Sequence, residues 1–198
     1  MFLRRLMKDL VLPVAVAISL AFLIQAAVAK PYEIPTPSME PTIQAGDRII
    51  ANRVIYHVRD IERGDIIVFQ PTDEARNTCE PGSTDDVPFV KRVIGLPGDR
   101  VAIRAESNEV LINGTPLVIA NARMNDVTGI SDSFTPNEDD TLYTLTTRVP
   151  AGKLFVLGDN RSNSCDSHQW SDPFVPIGRV IGQAEVTYWP LRHAKFLD

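Results

Sequence analysis

The sequence predicts a mainly β protein, in which one N-terminal transmembrane helix precedes a domain of antiparallel sheets with a small inserted cap. Three observations lead to this prediction. Short runs rich in valine, isoleucine and aromatic residues recur along most of the chain. Gly-Asp pairs, which are typical of turns, separate several of these runs. A long uncharged apolar segment comes before all of them.

The N-terminal segment has the pattern of a membrane anchor. A run from Leu10 to Ala29 contains no charged residue, and at about 1.5 Å per residue its length matches a hydrocarbon core of about 30 Å. Three basic residues, Arg4, Arg5 and Lys8, precede this run. A cleaved export signal is the alternative, because Ala27-Val28-Ala29 is typical of a cleavage site.

The order of charge and hydrophobicity also predicts how the chain is divided. Basic residues ahead of a span favour a cytoplasmic N-terminus. We therefore expect a cytoplasmic segment at 1–9, a transmembrane anchor at 10–29 and an extracytoplasmic domain at 30–198 that lies close to lipid. The domain has the composition of an ordinary globular protein, since 44% of the residues are hydrophobic and 23% are charged. A net charge of −5 argues against a nucleic-acid partner.

Histidine and cysteine are too sparse in this chain to predict a metal site. The three histidines, His57, His168 and His193, lie far apart, and Cys79 and Cys165 lack a C-x-x-C spacing. We expect neither a metal nor another cofactor. In an exported domain the two cysteines can form a disulfide, and two free thiols are the alternative.

The pattern of apolar residues predicts eight β-strands after the anchor. They are Arg48 to Val54, Asp65 to Phe69, Phe89 to Ile94, Arg100 to Arg104, Glu109 to Ile112, Leu142 to Val149, Leu154 to Leu157 and Ile181 to Tyr188. Asn113-Gly114 predicts a hairpin turn. Two polar stretches, at about 72–88 and 121–140, are predicted to be insertions that form loops or a small cap.

Ser38 and Lys91 are the candidates for chemistry. Alternation along the third strand places Phe89, Lys91 and Val93 on one apolar face. Burial would lower the pKa of Lys91 from roughly 10.4 towards neutrality, as a general base requires. Arg92 faces the other way and stays protonated, so it suits a structural ion pair. A surface lysine on an edge strand is the alternative for Lys91.

A dense polar run, Gly158 to His168, directly follows an apolar strand. A solvated turn is the simple interpretation, because Asp, Asn and Ser favour turns. A serine from this run could instead orient Lys91 towards Ser38, as the third member does in other catalytic triads.

Three motifs together resemble those of type I signal peptidases, the membrane-bound Ser-Lys enzymes that remove signal peptides from exported preproteins. They are Pro37 to Thr42, Lys91 to Asp99 and Gly158 to Ser164, in the order of that family and behind an N-terminal anchor. The resemblance extends from about Ile34 to Pro190. It implies that Ser38 is the acyl-forming nucleophile and that Lys91 is its general base.

The resemblance also implies a set of supporting residues. The oxyanion hole would combine the Ser38 amide with the hydroxyl of Thr36, where the family often has serine. Ser164 would hydrogen-bond and orient Lys91, and Asp166 is expected to pair with Arg92. The family commonly carries arginine at the position of His168 and glycine at that of Ser171, so any support from His168 would depend on its protonation.

The expected substrates are preproteins cleaved after small residues, with the pattern Ala-X-Ala, by a monomeric enzyme. A single-pass protein of the bacterial inner membrane is the first expectation, with a thylakoid or mitochondrial inner membrane as the alternative. A specialised Ser-Lys peptidase that matures conjugative pilins or organellar presequences would share nearly every feature. A self-cleaving cytosolic repressor conflicts with the apolar run, and a silent binding protein conflicts with the presence of all three motifs.

Overall fold

Strands dominate the computed structural model, which describes residues 11–82, 87–104, 109–118 and 143–197. The described strands are β1 Ala29–Glu33, β2 Arg48–Asn52, β3 Ile66–Phe69, β4 Phe89–Gly95, β5 Arg100–Arg104, β6 Val110–Ile112, β7 Thr115–Pro116, β8 Tyr143–Arg148, β9 Lys153–Leu157, β10 Val175–Pro176, β11 Val180–Trp189 and β12 Lys195–Phe196. The same described ranges contain two α-helices, α1 Leu12–Val28 and α2 Asp73–Cys79. The predicted mainly β fold is confirmed, and each of the eight predicted strands is present.

The strands form two sheets, and every pairing in the described part of the chain is antiparallel. The larger sheet has the order β1-β2-β11-β3-β4-β9-β10, with β12 paired to β11. The smaller sheet has the order β7-β6-β5-β8. β4 lies between β3 and β9, so both of its edges are hydrogen-bonded inside the sheet.

Three apolar clusters hold these layers together. One contains Ile34, Met39 and Ile43, which lie within 10 residues of each other and are almost completely buried. This cluster packs the Ser38 segment against the sheet. A second cluster joins the two sheets through β5, β6, β8 and β9. The third surrounds Trp170, which is 2% exposed and makes an edge contact with Phe69.

The N-terminal helix α1 leads directly into β1. In the ranges that the structure describes, no helix reaches the length and apolarity needed to span a membrane. The anchor at 10–29 stays a prediction. The predicted cytoplasmic segment 1–9 lies outside the described residues.

Of the two predicted insertions, the structure describes most of one and none of the other. The stretch at 121–140 lies outside the described residues. The stretch at 72–88 begins with α2, because Thr72 caps the helix by accepting a hydrogen bond from the Ala75 amide at 3.1 Å. Acidic Asp73 and Glu74 in the first turn complement the helix dipole.

Candidate active site

The Ser38 side chain lies on a short 3-10 helix, Pro37–Met39. Thr36 is extended at the start of this turn, and proline at its first position has a backbone angle suited to a helical turn. Met39 is fully buried, which fixes one side of the turn in the core and directs the neighbouring Ser38 towards the sheet. Ser38 is 7% exposed.

Asn160 fastens this turn to the end of β9. Its backbone amide donates to the Ser38 carbonyl at 3.0 Å, and its side-chain Nδ2 donates to the Pro37 carbonyl at 3.0 Å. Two hydrogen bonds from one residue therefore set the position of the turn relative to the sheet. Sequence reasoning placed Asn160 in the third motif but did not predict this role.

Lys91 extends from the middle of β4 and meets Ser38, 53 positions earlier in the chain. Its Nζ lies 2.8 Å from the Ser38 Oγ, and its side chain is among the buried groups, with 5% exposure. Burial lowers the pKa of Lys91 to about 8, against an opposing effect of nearby carboxylates, Asp166 first. A buried amine that releases its proton near neutral pH can accept a proton from the serine hydroxyl.

Arg92, the next residue on β4, makes a different set of contacts. Its Nε and Nη2 bind the two carboxylate oxygens of Asp159 at 2.8 and 2.7 Å, and its Nη1 donates to the Gly64 carbonyl at 2.7 Å. The expected pairing of Arg92 with Asp166 is wrong, because the carboxylate that binds Arg92 is that of Asp159. β4 and β9 pair with Arg92 opposite Leu157, and Asp159 follows Leu157 by two residues, so the sheet register brings Asp159 to the guanidinium.

Asp166 instead joins three other groups. Its Oδ2 accepts hydrogen bonds from the Ser164 hydroxyl at 2.6 Å and the Gly158 amide at 2.8 Å. Its Oδ1 lies 2.5 Å from the His168 Nδ1. Burial raises the pKa of Asp166, but His168 and the other partners outweigh burial, so that the pKa lies below its ordinary value.

The structure therefore corrects the expected partner of Ser164. Among the described residues the Ser164 hydroxyl donates to the Asp166 carboxylate two residues away, and the hydrogen bond of Lys91 goes to Ser38 and not to Ser164. A carboxylate is the stronger acceptor and lies within reach of a local turn. Asp166 still acts electrostatically on Lys91, since it is the largest of the charges that raise the pKa of that lysine.

Gly158 allows these groups to approach each other closely. A Cβ at this position would lie 2.2 Å from the Ser164 Oγ and 2.4 Å from the Ser38 carbonyl oxygen. Only glycine fits between the turn that carries Ser38 and the segment that carries Ser164.

Thr36 lies beside the Ser38 hydroxyl at the surface of the site. Its Oγ1 is 3.3 Å from the Ser38 Oγ, and the residue is exposed. This places a second hydroxyl within reach of any oxygen that develops charge next to Ser38.

A cleft of about 270 Å³ opens at the Ser38–Lys91 pair. Apolar side chains line much of it, including Ile34, Val87, Phe89 and Val90. Its wall also contains Cys79 and Cys165, which form a disulfide with Cα atoms 5.6 Å apart. The disulfide decides between the two alternatives left open by the sequence.

Comparison with known proteins identifies relatives along nearly the whole chain. The family described as signal peptidase, peptidase S26, matches residues 7–189. The chain is 39% identical to a signal peptidase I of Leptolyngbya laminosa, over 90% of this chain and 77% of that protein. It is 35% identical to signal peptidase I of Bacillus caldolyticus, over 93% of this chain and 92% of that protein.

A plant protein is also similar to this chain. Thylakoidal processing peptidase 1, a chloroplast protein of Arabidopsis thaliana, is 33% identical over 88% of this chain. The matched region is 46% of the plant protein, so the chain spans about half the length of this relative.

Proposed function

The chain belongs to the signal peptidase family, peptidase S26, as a type I signal peptidase and serine peptidase, and we propose that it removes N-terminal signal peptides from exported preproteins with Ser38 as nucleophile and Lys91 as base. The observation that carries the proposal is the buried contact of 2.8 Å between the Lys91 Nζ and the Ser38 Oγ. In the described part of the chain, this is the one hydrogen bond between Lys91 and another side chain, and it goes to the proposed nucleophile.

Acylation begins with neutral Lys91. The Ser38 Oγ forms a bond to the scissile carbonyl carbon while its proton passes to the Lys91 Nζ. The tetrahedral intermediate then breaks its carbon–nitrogen bond, and the proton on Lys91 goes to the leaving amine. The products are an ester on Ser38 and the free N-terminus of the mature protein.

Deacylation uses the same base. A water molecule attacks the ester carbonyl while Lys91 takes its proton, and the carbon–oxygen bond to Ser38 breaks. Lys91 returns the proton to the Ser38 Oγ, which restores the enzyme and releases the signal peptide as a carboxylic acid. The Ser38 amide and the Thr36 hydroxyl are the proposed donors to the charged oxygen of both intermediates, and removal of one such donor typically slows a reaction about 10²- to 10³-fold.

The remaining residues support this pair indirectly. Asp166 lies in a buried position where its negative charge favours the protonated form of Lys91 during turnover. Ser164 and Gly158 hold the Asp166 carboxylate, and the Arg92–Asp159 pair fixes the adjacent strand ends. Their proposed contribution is therefore to position and tune the base.

We propose that the substrate binds in extended form in the apolar cleft, with small residues at positions −3 and −1. A peptide that adds to the edge of a sheet gains backbone hydrogen bonds, and its alternate side chains enter pockets on one side. The cleft of about 270 Å³ is lined by Ile34, Phe89 and Val90 close to Ser38, which favours small apolar side chains such as those of Ala-X-Ala.

Single-pass anchoring in a bacterial inner membrane, with a monomeric extracytoplasmic domain near lipid, completes the proposal. Its support is the uncharged run from Leu10 to Ala29 behind three basic residues. An organellar processing peptidase is the second candidate, which the similarity to a thylakoidal processing peptidase favours.

The test is cleavage of a preprotein with an Ala-X-Ala site, in detergent, by the wild type and by Ser38→Ala and Lys91→Met. Exposed Ser171→Ala and partly exposed Lys153→Met are the matched controls. We expect cleavage after the −1 alanine by the wild type and both controls, and loss of cleavage in both site variants. Full activity in either site variant would contradict the Ser-Lys mechanism. A preference for thylakoid-transfer presequences over bacterial signal peptides would favour the second candidate.

A further inference from the structure

A second cavity, of about 250 Å³, lies next to the turn that carries Ser38. It is lined by Glu40, Pro41, Gln44 and Asn160. The segment that leads up to Ser38 forms part of the wall of the apolar cleft described above, whereas three residues that follow Ser38 form part of the wall of the polar cavity. Ser38 therefore lies between the two along the sequence.

Hydrogen bonds fix the polar cavity relative to the nucleophile. Asn160, in its wall, donates from its backbone amide to the Ser38 carbonyl and from its side chain to the Pro37 carbonyl, both at 3.0 Å. The Glu40 amide donates to the same Pro37 carbonyl at 3.1 Å. Two of the four lining residues are thus held directly by the backbone of the nucleophile turn.

The chemistry of the polar cavity differs from that of the apolar cleft. Its lining combines one carboxylate, on the half-buried Glu40, with the neutral amides of Gln44 and Asn160. A glutamate carboxylate is negative at neutral pH, and the four lining residues include no cation to balance it. The cavity therefore presents a negative charge within a few residues of the nucleophile.

A substrate peptide that is attacked by Ser38 contacts the enzyme with the residues before its scissile bond and with the residues after it. The apolar cleft suits the small apolar residues before the bond, so the residues after the bond need a separate place within chain reach of Ser38. We propose that the polar cavity receives the first two residues of the mature protein and that Glu40 selects basic over acidic side chains there. This inference rests on the proposed function, because it assigns the second half of the same substrate.

The size of the selection follows from the exposure of Glu40. Charge pairs that remain partly in contact with water contribute modestly, and attraction of a basic residue adds to repulsion of an acidic one. We expect a preference of roughly 3- to 10-fold in kcat/KM for lysine over glutamate, and a smaller preference at high salt because the charges are screened.

The test uses the full chain in detergent and preproteins that differ at one of the two positions after the cleavage site, with Lys, Gln or Glu there. The wild type is compared with Glu40→Gln and Glu40→Lys, and with Glu62→Gln as a control at an exposed carboxylate in the turn before β3. We expect the ratio of kcat/KM for the Lys and Glu substrates to fall to about 1 in Glu40→Gln, to invert in Glu40→Lys and to keep its wild-type value in Glu62→Gln. Thermal unfolding of each variant checks that the protein is folded.

The possible failures are distinct. Equal kcat/KM for all three substrates in the wild type, or an unchanged ratio in both Glu40 variants, overturns this inference and leaves the proposed function intact. If the wild type cleaves none of the series although a serine-directed probe labels Ser38, the proposed substrate class fails and the inference fails with it.

Discussion

Lys91 and Arg92 are adjacent on β4 and are both buried cations, yet they have different partners. Lys91 reaches the Ser38 hydroxyl, whereas Arg92 is held by both carboxylate oxygens of Asp159. Successive side chains of a strand point to opposite faces, which separates the two contacts. A guanidinium stays protonated, whereas burial lowers the pKa of Lys91 to about 8, so one strand supplies a group that can act as a proton acceptor beside a permanent ion pair.

The first prediction concerns the pH dependence of acylation. Burial lowers the pKa of Lys91 to about 8, so the fraction of enzyme with a neutral base increases as the pH rises through this value. We expect kcat/KM for a preprotein to rise about tenfold per pH unit below this value and to level off above it. Lys91→Arg is expected to be inactive at every pH, because arginine keeps its proton. A flat profile between about pH 6 and pH 9.5 would contradict Lys91 as the base.

The second prediction concerns stability. Because the pKa of Lys91 falls from 10.5 to about 8 on folding, the unfolded chain holds a proton between these values that the folded chain has released, and stability rises with pH across this window. Below this pH window Lys91 is protonated in both the folded and the unfolded chain, and the full cost of burying its charge lowers the stability of the folded state. Lys91→Met should therefore raise the free energy of unfolding at neutral pH by on the order of 3 kcal/mol.

Urea unfolding at pH 7 and above pH 10 measures this effect. The gain from Lys91→Met should be large at the first pH and small at the second, while Lys153→Met, at a partly exposed ion pair, should change stability by about 1 kcal/mol or less at both. If Lys91→Met is as stable as the wild type at pH 7 or less stable, burial of the charged Lys91 amine does not destabilise the folded protein, and the prediction is wrong.

The third prediction concerns the Arg92–Asp159 pair. Both side chains are at most 1% exposed, so Asp159→Ala removes the carboxylate that the buried guanidinium of Arg92 binds and should destabilise the protein by about 3–5 kcal/mol. The double variant Asp159→Ala/Arg92→Met should lose less free energy of unfolding than the sum of the losses in the two single variants. Glu33→Ala, which removes the partner of Arg48 in an exposed pair, should cost about 1 kcal/mol or less. Denaturant unfolding of these variants checks the prediction, and additive losses would argue against direct coupling of Arg92 and Asp159.

The fourth prediction concerns the disulfide between Cys79 and Cys165. It closes a loop with a sequence separation of 86, and loss of such a crosslink typically costs about 2–5 kcal/mol. Cys165 also stands between Ser164 and Asp166, so a reductant should lower both stability and cleavage activity. The double variant Cys79→Ala/Cys165→Ala should have the same activity with and without reductant. Thiol titration measures whether the disulfide is completely reduced. If the completely reduced wild type keeps full cleavage activity, the predicted loss of activity is wrong.

Local patterns predicted most of the fold, and long-range pairing determined what they missed. Strands with several β-branched residues, such as Ile66–Phe69, are recognisable from composition alone. Ala29–Glu33 was missed because it contains Pro31 and follows an apolar run, and it is a strand because it pairs with β2 at the sheet edge. Val175–Pro176 is two residues long and depends on β9 in the same way.

In the candidate active site, too, local patterns predicted some features, and long-range pairing determined the others. Alternation along β4 was enough to separate Lys91 from Arg92 and to predict a burial-lowered pKa for the lysine. The carboxylate for Arg92 was assigned wrongly, because Asp159 and Asp166 both lie in the third motif and only the register of β4 against β9 distinguishes them. The disulfide cannot be predicted from the sequence for a similar reason, since a separation of 86 residues carries no information on the distance between the two cysteines.

The most direct measurement for the central claim is the site and rate of covalent labelling by a serine-directed acylating probe, followed by peptide mass spectrometry. We expect a single acyl group on Ser38 in the wild type and in Lys153→Met, and no labelling in Ser38→Ala. In Lys91→Met we expect labelling to be slowed at least about 10²-fold, because the hydroxyl has lost its proton acceptor. Labelling of Ser38 at the wild-type rate in Lys91→Met would show that this lysine is not the base, and labelling of another residue would show that Ser38 is not the nucleophile.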